Sequence, residues 1–206
     1  MTKKEKVKEI LKRLYKIWPQ PKIELNYSTP LELLVAVILS AQATDKVVNQ
    51  VTPALFAKFK TAKDYAQATV EELDGFVKRV NFHFNKAKNI HATCKIIADK
   101  YKGRVPDTME ELDSLPGVAR KSANVVLGNV FGKAEGIVVD THVIRLSNCL
   151  GLTTQKDPVK IEQDLMKIVP KDKWIDFSHL LILFGRYHCP ARVPCKDCAI
   201  LGDLCT

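Results

Sequence analysis

No stretch of this 206-residue chain is apolar for long enough to cross a membrane. Its longest apolar run, Leu33 to Leu39, falls far short of the roughly 20 residues a spanning helix needs. Glycine and proline are sparse, at nine and ten residues, which excludes collagen-like repeats and Pro/Gly-rich disorder. The charged N-terminus, Met1 to Lys6, is not followed by the apolar segment of a secretion signal. Val7, Ile10, Leu11, Leu14, Ile17 and Trp18 recur there at helical spacing instead. A cytoplasmic protein with reduced thiols is expected. Acidic residues are in deficit, 23 against 32 Lys plus Arg, so the net charge is +9. Such a surplus attracts polyanions, nucleic acid foremost, although a solvated basic surface without a partner has the same composition.

Helical signals fill the chain. Thr29-Pro30-Leu31-Glu32 reads as a capping box with proline at the first helical position. Val47, Val48, Val51, Leu55, Phe56 and Phe59 form a second stripe, and Thr61 and Thr69 precede two further helix starts. The pattern continues from Asn89 to Lys100, and Asp107 to Glu110 opens a short helix ending at Leu115-Pro116-Gly117. Another helix is predicted over Ala119–Phe131, with later ones near 141–150, 158–169 and 172–184. Gly136-Ile137-Val138-Val139 is a β-branched run with no strand to pair with, so it reads as a buried connection. The expected fold is all-α, with about ten helices joined by short turns.

Three features carry chemistry. The first is Leu115-Pro116-Gly117-Val118-Ala119-Arg120-Lys121 between two helices. Pro116 stops one helix, and Gly117 permits a tight turn into the next. A helix entered this way presents backbone N–H groups and the positive end of its dipole to an anion, and Arg120 and Lys121 add formal charge. An ordinary helical hairpin with basic surface residues would read the same. The dipole, Arg120 and partial burial should all depress the Lys121 pKa. The second feature is Asp140, which precedes Thr141-His142 as a helix N-cap. The third is the crowding of Cys189, Cys195, Cys198 and Cys205 at intervals of five, two and six residues. Four thiolates with one C-x-x-C suit zinc or an iron–sulfur cluster. Cys94 and Cys149 sit singly in apolar patterns and read as small core residues.

The string Leu115 to Val126, with Val139-Asp140-Thr141-His142-Val143, Leu39 to Asp45 and the terminal cysteines, resembles the helix–hairpin–helix base-excision glycosylases of the endonuclease III type. The resemblance runs from about Glu24 to Thr206. It implies two helical lobes with a DNA-binding cleft between them: a six-helix lobe, residues 25–135, with the hairpin, and 1–24 plus 136–206 with the metal site. It implies a bifunctional enzyme that removes damaged pyrimidines from duplex DNA and cleaves the abasic site. Lys121 would be the Schiff-base nucleophile, and Asp140 would stabilise positive charge and assist proton transfer. Gly117, Val118, Ala119 and Arg120 would grip a phosphate. Gln42 would fill the gap left by a flipped base, and Phe82 would wedge between bases. Arg192, in the first cysteine loop, would meet a second phosphate, and Asp45 would line the pocket or start a helix.

The resemblance also implies a [4Fe–4S] cluster on Cys189, Cys195, Cys198 and Cys205. It implies a monomeric, nucleoid-associated protein, with duplex DNA as partner and no membrane contact. The chain departs from the family in three places: Ala119 stands for a usual second glycine, Asn81 and His83 depart from the usual wedge pattern, and the outer cysteine intervals are exchanged. A mismatch glycosylase on the same scaffold and a non-catalytic DNA-binding scaffold are the competing readings. Lys121 and the absence of a further domain argue against the first.

Overall fold

The computed structural model describes residues 1–205, so the last residue of the expected second lobe lies outside the described residues. Among the described residues there are eleven α-helices, three short 3-10 helices and no strand, as the all-α expectation requires. The chain divides into two compact units. One spans Glu24–Lys133; the other joins Met1–Ile23 to the chain from Ala134 onward.

The continuous unit carries seven helices, one more than the six expected: α2 (Pro30–Ser40), α3 (Asp45–Lys58), α4 (Ala62–Gln67), α5 (Val70–Val77), α6 (His83–Asp99), α7 (Met109–Asp113) and α8 (Arg120–Phe131). Most begin where the sequence says, because a threonine hydroxyl accepts a first-turn N–H and satisfies an otherwise orphaned donor. Thr29, Thr44, Thr61, Thr69 and Thr108 all do this. The box expected at Thr29 is only half formed: Thr29 accepts from Glu32 N, but the Glu32 carboxylate takes the Ser28 N–H at 2.6 Å. From Leu33 to Leu39 every residue of α2 is buried, so its run of apolar residues on all faces suits a central helix. It packs against α3, α6 and α8, and α6 also packs on α4 and α5. Helix α6 starts six residues before the predicted Asn89. Its N-cap is Phe82, which offers no side-chain acceptor and so leaves no capping signal in the sequence.

The discontinuous unit contains α1 (Lys3–Ile17), α9 (Thr141–Cys149), α10 (Pro158–Ile168) and α11 (Trp174–Tyr187). Val7, Ile10 and Leu14 of α1 share one core with Val143, Leu146, Ile161, Leu165, Phe177 and Phe184. This packing brings the N-terminal helix to the C-terminal segment. Arg13 binds the Asp203 carboxylate and the Ile200 carbonyl, and Lys6 Nζ donates to the Leu150 carbonyl at 2.8 Å. Ile137 and Val139 are buried in the same core without pairing as a strand, so the β-branched run is a connection.

Candidate functional site

The hairpin is seated on α6 before α8 begins. The Thr93 hydroxyl donates to the Pro116 carbonyl at 2.8 Å, and Val118 N–H donates to the Leu115 carbonyl. Gly117 turns the chain at φ 77°, a conformation that disfavours any Cβ, and a Cβ there would stand 2.8 Å from Asn89. Ala119 is the N-cap of α8 at φ −98° and ψ 166°. That is extended backbone open to any residue, so the exchange of glycine for alanine carries no strain. Helix α8 has no side-chain cap, and its first-turn N–H groups are therefore offered to an external acceptor. Val118 is buried, whereas Arg120 and Lys121 are exposed. The exposure of Lys121 corrects the expected partial burial: α8 spends its inner face on Ala123, Asn124, Val126 and Leu127, and Lys121 falls outside it.

Asp140 is the N-cap of α9, as expected, with Oδ1 accepting the Val143 N–H at 2.9 Å. This bond fixes the direction of the carboxylate. Two residues on, His142 lies against α11, where a Cβ on Gly185 would meet its Nδ1 at 2.6 Å. Burial pushes the His142 imidazole below its usual range, with Arg186 and Arg145 acting the same way and Asp140 opposing them.

Gln42 and Phe82 share an unusual property. Both are non-glycine residues in the left-handed region, at φ 54° and 57°. Both are exposed, Phe82 by 62%. Phe84 is not a core residue either, since it is exposed and carries Lys88 Nζ 4.8 Å above its ring. The amide of Asn81 donates to the Gln42 carbonyl at 3.1 Å. An open recess of about 350 Å³ lies beside them, lined by Gln42, Ala43, Thr44, Val47, Arg79 and Asn81. His83 hydrogen-bonds through Nδ1 to Asp74. Asp45 is the first residue of α3, after the Thr44 cap, which is its helix-start reading. Lys86 had no place in the sequence reading, yet it is buried, and burial lowers its pKa. Its ammonium donates to the carbonyls of Leu39 at 2.8 Å and Ala41 at 2.5 Å.

The C-terminal cysteines gather around Arg145 of α9. Its guanidinium donates to Cys189 Sγ at 3.6 Å, to Cys195 Sγ at 3.2 Å and to the Cys189 carbonyl. Cys189 and Cys198 are buried with their sulfurs adjacent, and Cys195 and Cys205 are half-buried. Among the described residues no set of three or more His, Cys, Asp or Glu side chains is arranged around a common metal position. The donor set itself suits a cluster of sulfur and iron: four cysteines share one short C-terminal segment, and a guanidinium aimed at two of the sulfurs offsets thiolate charge. Cys149 was read as a core residue, but it lies one turn beyond Arg145 and hydrogen-bonds to Cys195. Gly202, in the lengthened last interval, leaves no room for a Cβ, which would stand 2.3 Å from the Lys196 carbonyl. Arg192 is exposed in the first loop.

A left-handed glycine turn feeding an uncapped helix is the build of a helix–hairpin–helix DNA-binding protein, and residues 35–171 match the model of the HhH-GPD superfamily of base excision DNA repair proteins. The chain belongs to that superfamily and, within it, to the endonuclease III family of DNA glycosylases and AP lyases acting on damaged DNA. It is 49% identical to endonuclease III of Synechocystis sp. over 205 residues, 99% of this chain and 93% of that one. It is 44% identical to the Escherichia coli K12 protein over 203 residues, 98% of this chain and 95% of that one. A trapped endonuclease III–DNA covalent intermediate superposes with a TM-score of 0.91 at 44% identity, covering 100% of this chain and 96% of the other. A thermostable thymine-DNA glycosylase, 22% identical, shares the fold with a TM-score of 0.85 over 98% of this chain and 96% of its own.

Proposed function

We propose that this enzyme removes damaged pyrimidines from duplex DNA and cleaves the resulting abasic site through an imine on Lys121. The observation that carries the reading is the uncapped N-terminus of α8, entered through Gly117 and bearing Arg120 and Lys121 on its exposed first turn. Gly117, Val118, Ala119 and Arg120 bring a DNA phosphate to that end, where the dipole and backbone N–H groups bind it. The Lys121 amine, once deprotonated, attacks the sugar C1′, and the base leaves with the glycosidic electron pair and takes up a proton. Loss of the amine proton and opening of the ring give the imine. Removal of a C2′ proton then expels the 3′ phosphate, and water releases Lys121. The Asp140 carboxylate, aimed by its bond to Val143 N–H, stabilises positive charge on the sugar and relays protons.

Access to the base requires flipping it out of the stack. Gln42 fills the vacated space, and Phe82 wedges between bases. Arg192 contacts a second phosphate. Affinity for duplex DNA falls with salt, with a slope near −0.9 per phosphate neutralised.

Cys189, Cys195, Cys198 and Cys205, reduced, would hold a [4Fe–4S] cluster, with Arg145 against two of the sulfurs. The cluster would supply cross-linking and fixed charge to the C-terminal loop, since the bond-breaking steps exchange no electrons. Iron and sulfide analysis with a visible absorption spectrum separates it from zinc, which gives no visible band.

The test of the enzymatic reading is borohydride trapping on duplexes carrying thymine glycol or an abasic site. A covalent adduct is expected, absent in Lys121→Ala. Tight binding with neither adduct nor strand cleavage would leave only a DNA-binding scaffold.

A further inference from the structure

Three non-glycine residues of the continuous unit lie in the left-handed region, Gln42, Phe82 and Lys102, and the first two occupy the turns proposed to enter DNA. Each such residue costs about 1–2 kcal/mol against ordinary backbone. Such conformations persist only where the surroundings over-determine them. Neither Gln42 nor Phe82 is held by its own side chain, since both project into solvent. The source of the constraint must lie elsewhere.

It lies in the Ser40–Ala43 backbone bond that closes the Gln42 turn, and in Lys86 and Asn81. Helix α2 ends at Ser40, where the Val37 carbonyl takes the Ser40 hydroxyl and the Leu39 carbonyl is left for a partner outside the helix. Lys86 Nζ takes up the carbonyl of Leu39 and that of Ala41, which flanks Gln42 directly. A buried cation fits that position, because the C-terminal end of a helix carries partial negative charge. The backbone N–H of the same Lys86 donates to the Phe82 carbonyl at 3.1 Å. One residue therefore holds the exit of α2 with its side chain and the entry to α6 with its backbone. Asn81 closes the link from the other side, since its amide binds the Gln42 carbonyl at 3.1 Å.

We infer that Asn81 and Lys86 are positioning residues that fasten the Gln42 and Phe82 turns to each other, so that both side chains enter DNA as one preformed device. The inference rests on the reading of Gln42 and Phe82 as the groups that open the duplex. Neither positioning residue touches the reacting atoms. Their contribution is to remove the need to order two turns when DNA binds, so the gap is filled at lower cost.

The experiment uses the full chain and a duplex with a stable abasic analogue opposite 2-aminopurine, whose fluorescence rises on unstacking. Asn81→Leu removes the donor at similar size, and Asn81→Gln retains one. Both are surface changes that should fold. Asn81→Leu should slow the fluorescence rise about fivefold, and base release from a separate thymine-glycol duplex in single turnover by as much, the worth of one hydrogen bond. Thermal midpoint and affinity for undamaged duplex should stay unchanged, and Asn81→Gln should recover part of the loss. Lys86→Met should show a larger loss than Lys86→Arg; if Lys86→Met does not fold, the Asn81 pair decides. Gln42→Ala and Phe82→Ala run beside them. If those two lose the fluorescence rise while Asn81→Leu keeps it, the positioning role is overturned and the duplex-opening role stands. If Gln42→Ala and Phe82→Ala keep the rise, the duplex-opening role itself fails, and the inference falls with it.

Discussion

The buried Thr93 hydroxyl donates to the carbonyl of Pro116, and one turn earlier on the same helix Asn89 lies directly beneath Gly117. The Gly117 turn is thus anchored to α6 at two successive points. Its shape is set by tertiary contacts as well as by Pro116 and Gly117.

Gly117→Ala should therefore destabilise the protein by about 2 kcal/mol, from the left-handed backbone and the collision with Asn89. Ala119→Gly should cost less than about 1 kcal/mol, through greater freedom of the unfolded chain, because Ala119 is already extended. Urea unfolding of the two variants measures both. A larger loss from Ala119→Gly than from Gly117→Ala would contradict the assignment of the turn.

Asp140 combines a structural bond with a proposed chemical role, and two substitutions separate them. Asp140→Ala should lose about 1 kcal/mol of stability with the cap to Val143. Asp140→Asn keeps the capping oxygen and should unfold near wild type, yet it removes the charge. Base release by Asp140→Asn, followed in single turnover, should fall as far as in Asp140→Ala. Full activity in Asp140→Asn would confine Asp140 to capping.

Arg145 touches two cysteine sulfurs, so Arg145→Leu should loosen the proposed cluster site without touching a ligand. Loss of iron to a chelator should become about tenfold more favourable, at the lower end of effects from groups that support metal ligands. Iron content after chelator challenge gives the comparison. Equal retention would show that the guanidinium serves packing alone.

Burial lowers the pKa of both His142 and His179. The unfolded chain then binds more protons than the folded one wherever ordinary histidine is protonated. Stability should be level above about pH 6.5 and should fall as pH drops below it, by at most about 1.4 kcal/mol per pH unit for each histidine. His179→Gln should flatten this slope. Urea midpoints across mildly acidic pH decide it, and an unchanged slope would place the protons elsewhere.

Much of the fold was legible because its signals are local. The cap oxygens of Thr29, Thr61, Thr69, Thr108 and Asp140 bond to N–H groups three residues on, so residue type and spacing state the helix starts directly. The Gly117 turn and the cysteine intervals are local in the same sense. Helix α6 was misplaced at its start because Phe82 caps nothing with its side chain. Arg145 and Cys149 passed for ordinary helix residues, since their sulfur partners lie in a distant segment.

The sequence by itself determined an all-helical, basic chain, its helix starts, its hairpin and the residue types able to do the chemistry. Tertiary structure alone decided that Lys121 is exposed, that Ala119 needs no glycine, and that Lys86 is buried. The partners of Lys86 and Asn81 are 39 to 47 residues away along the chain. A bond closed over such a loop leaves no periodicity and no spacing to read. It exists only because burying α2 and α6 against each other releases apolar surface from water and brings those groups together.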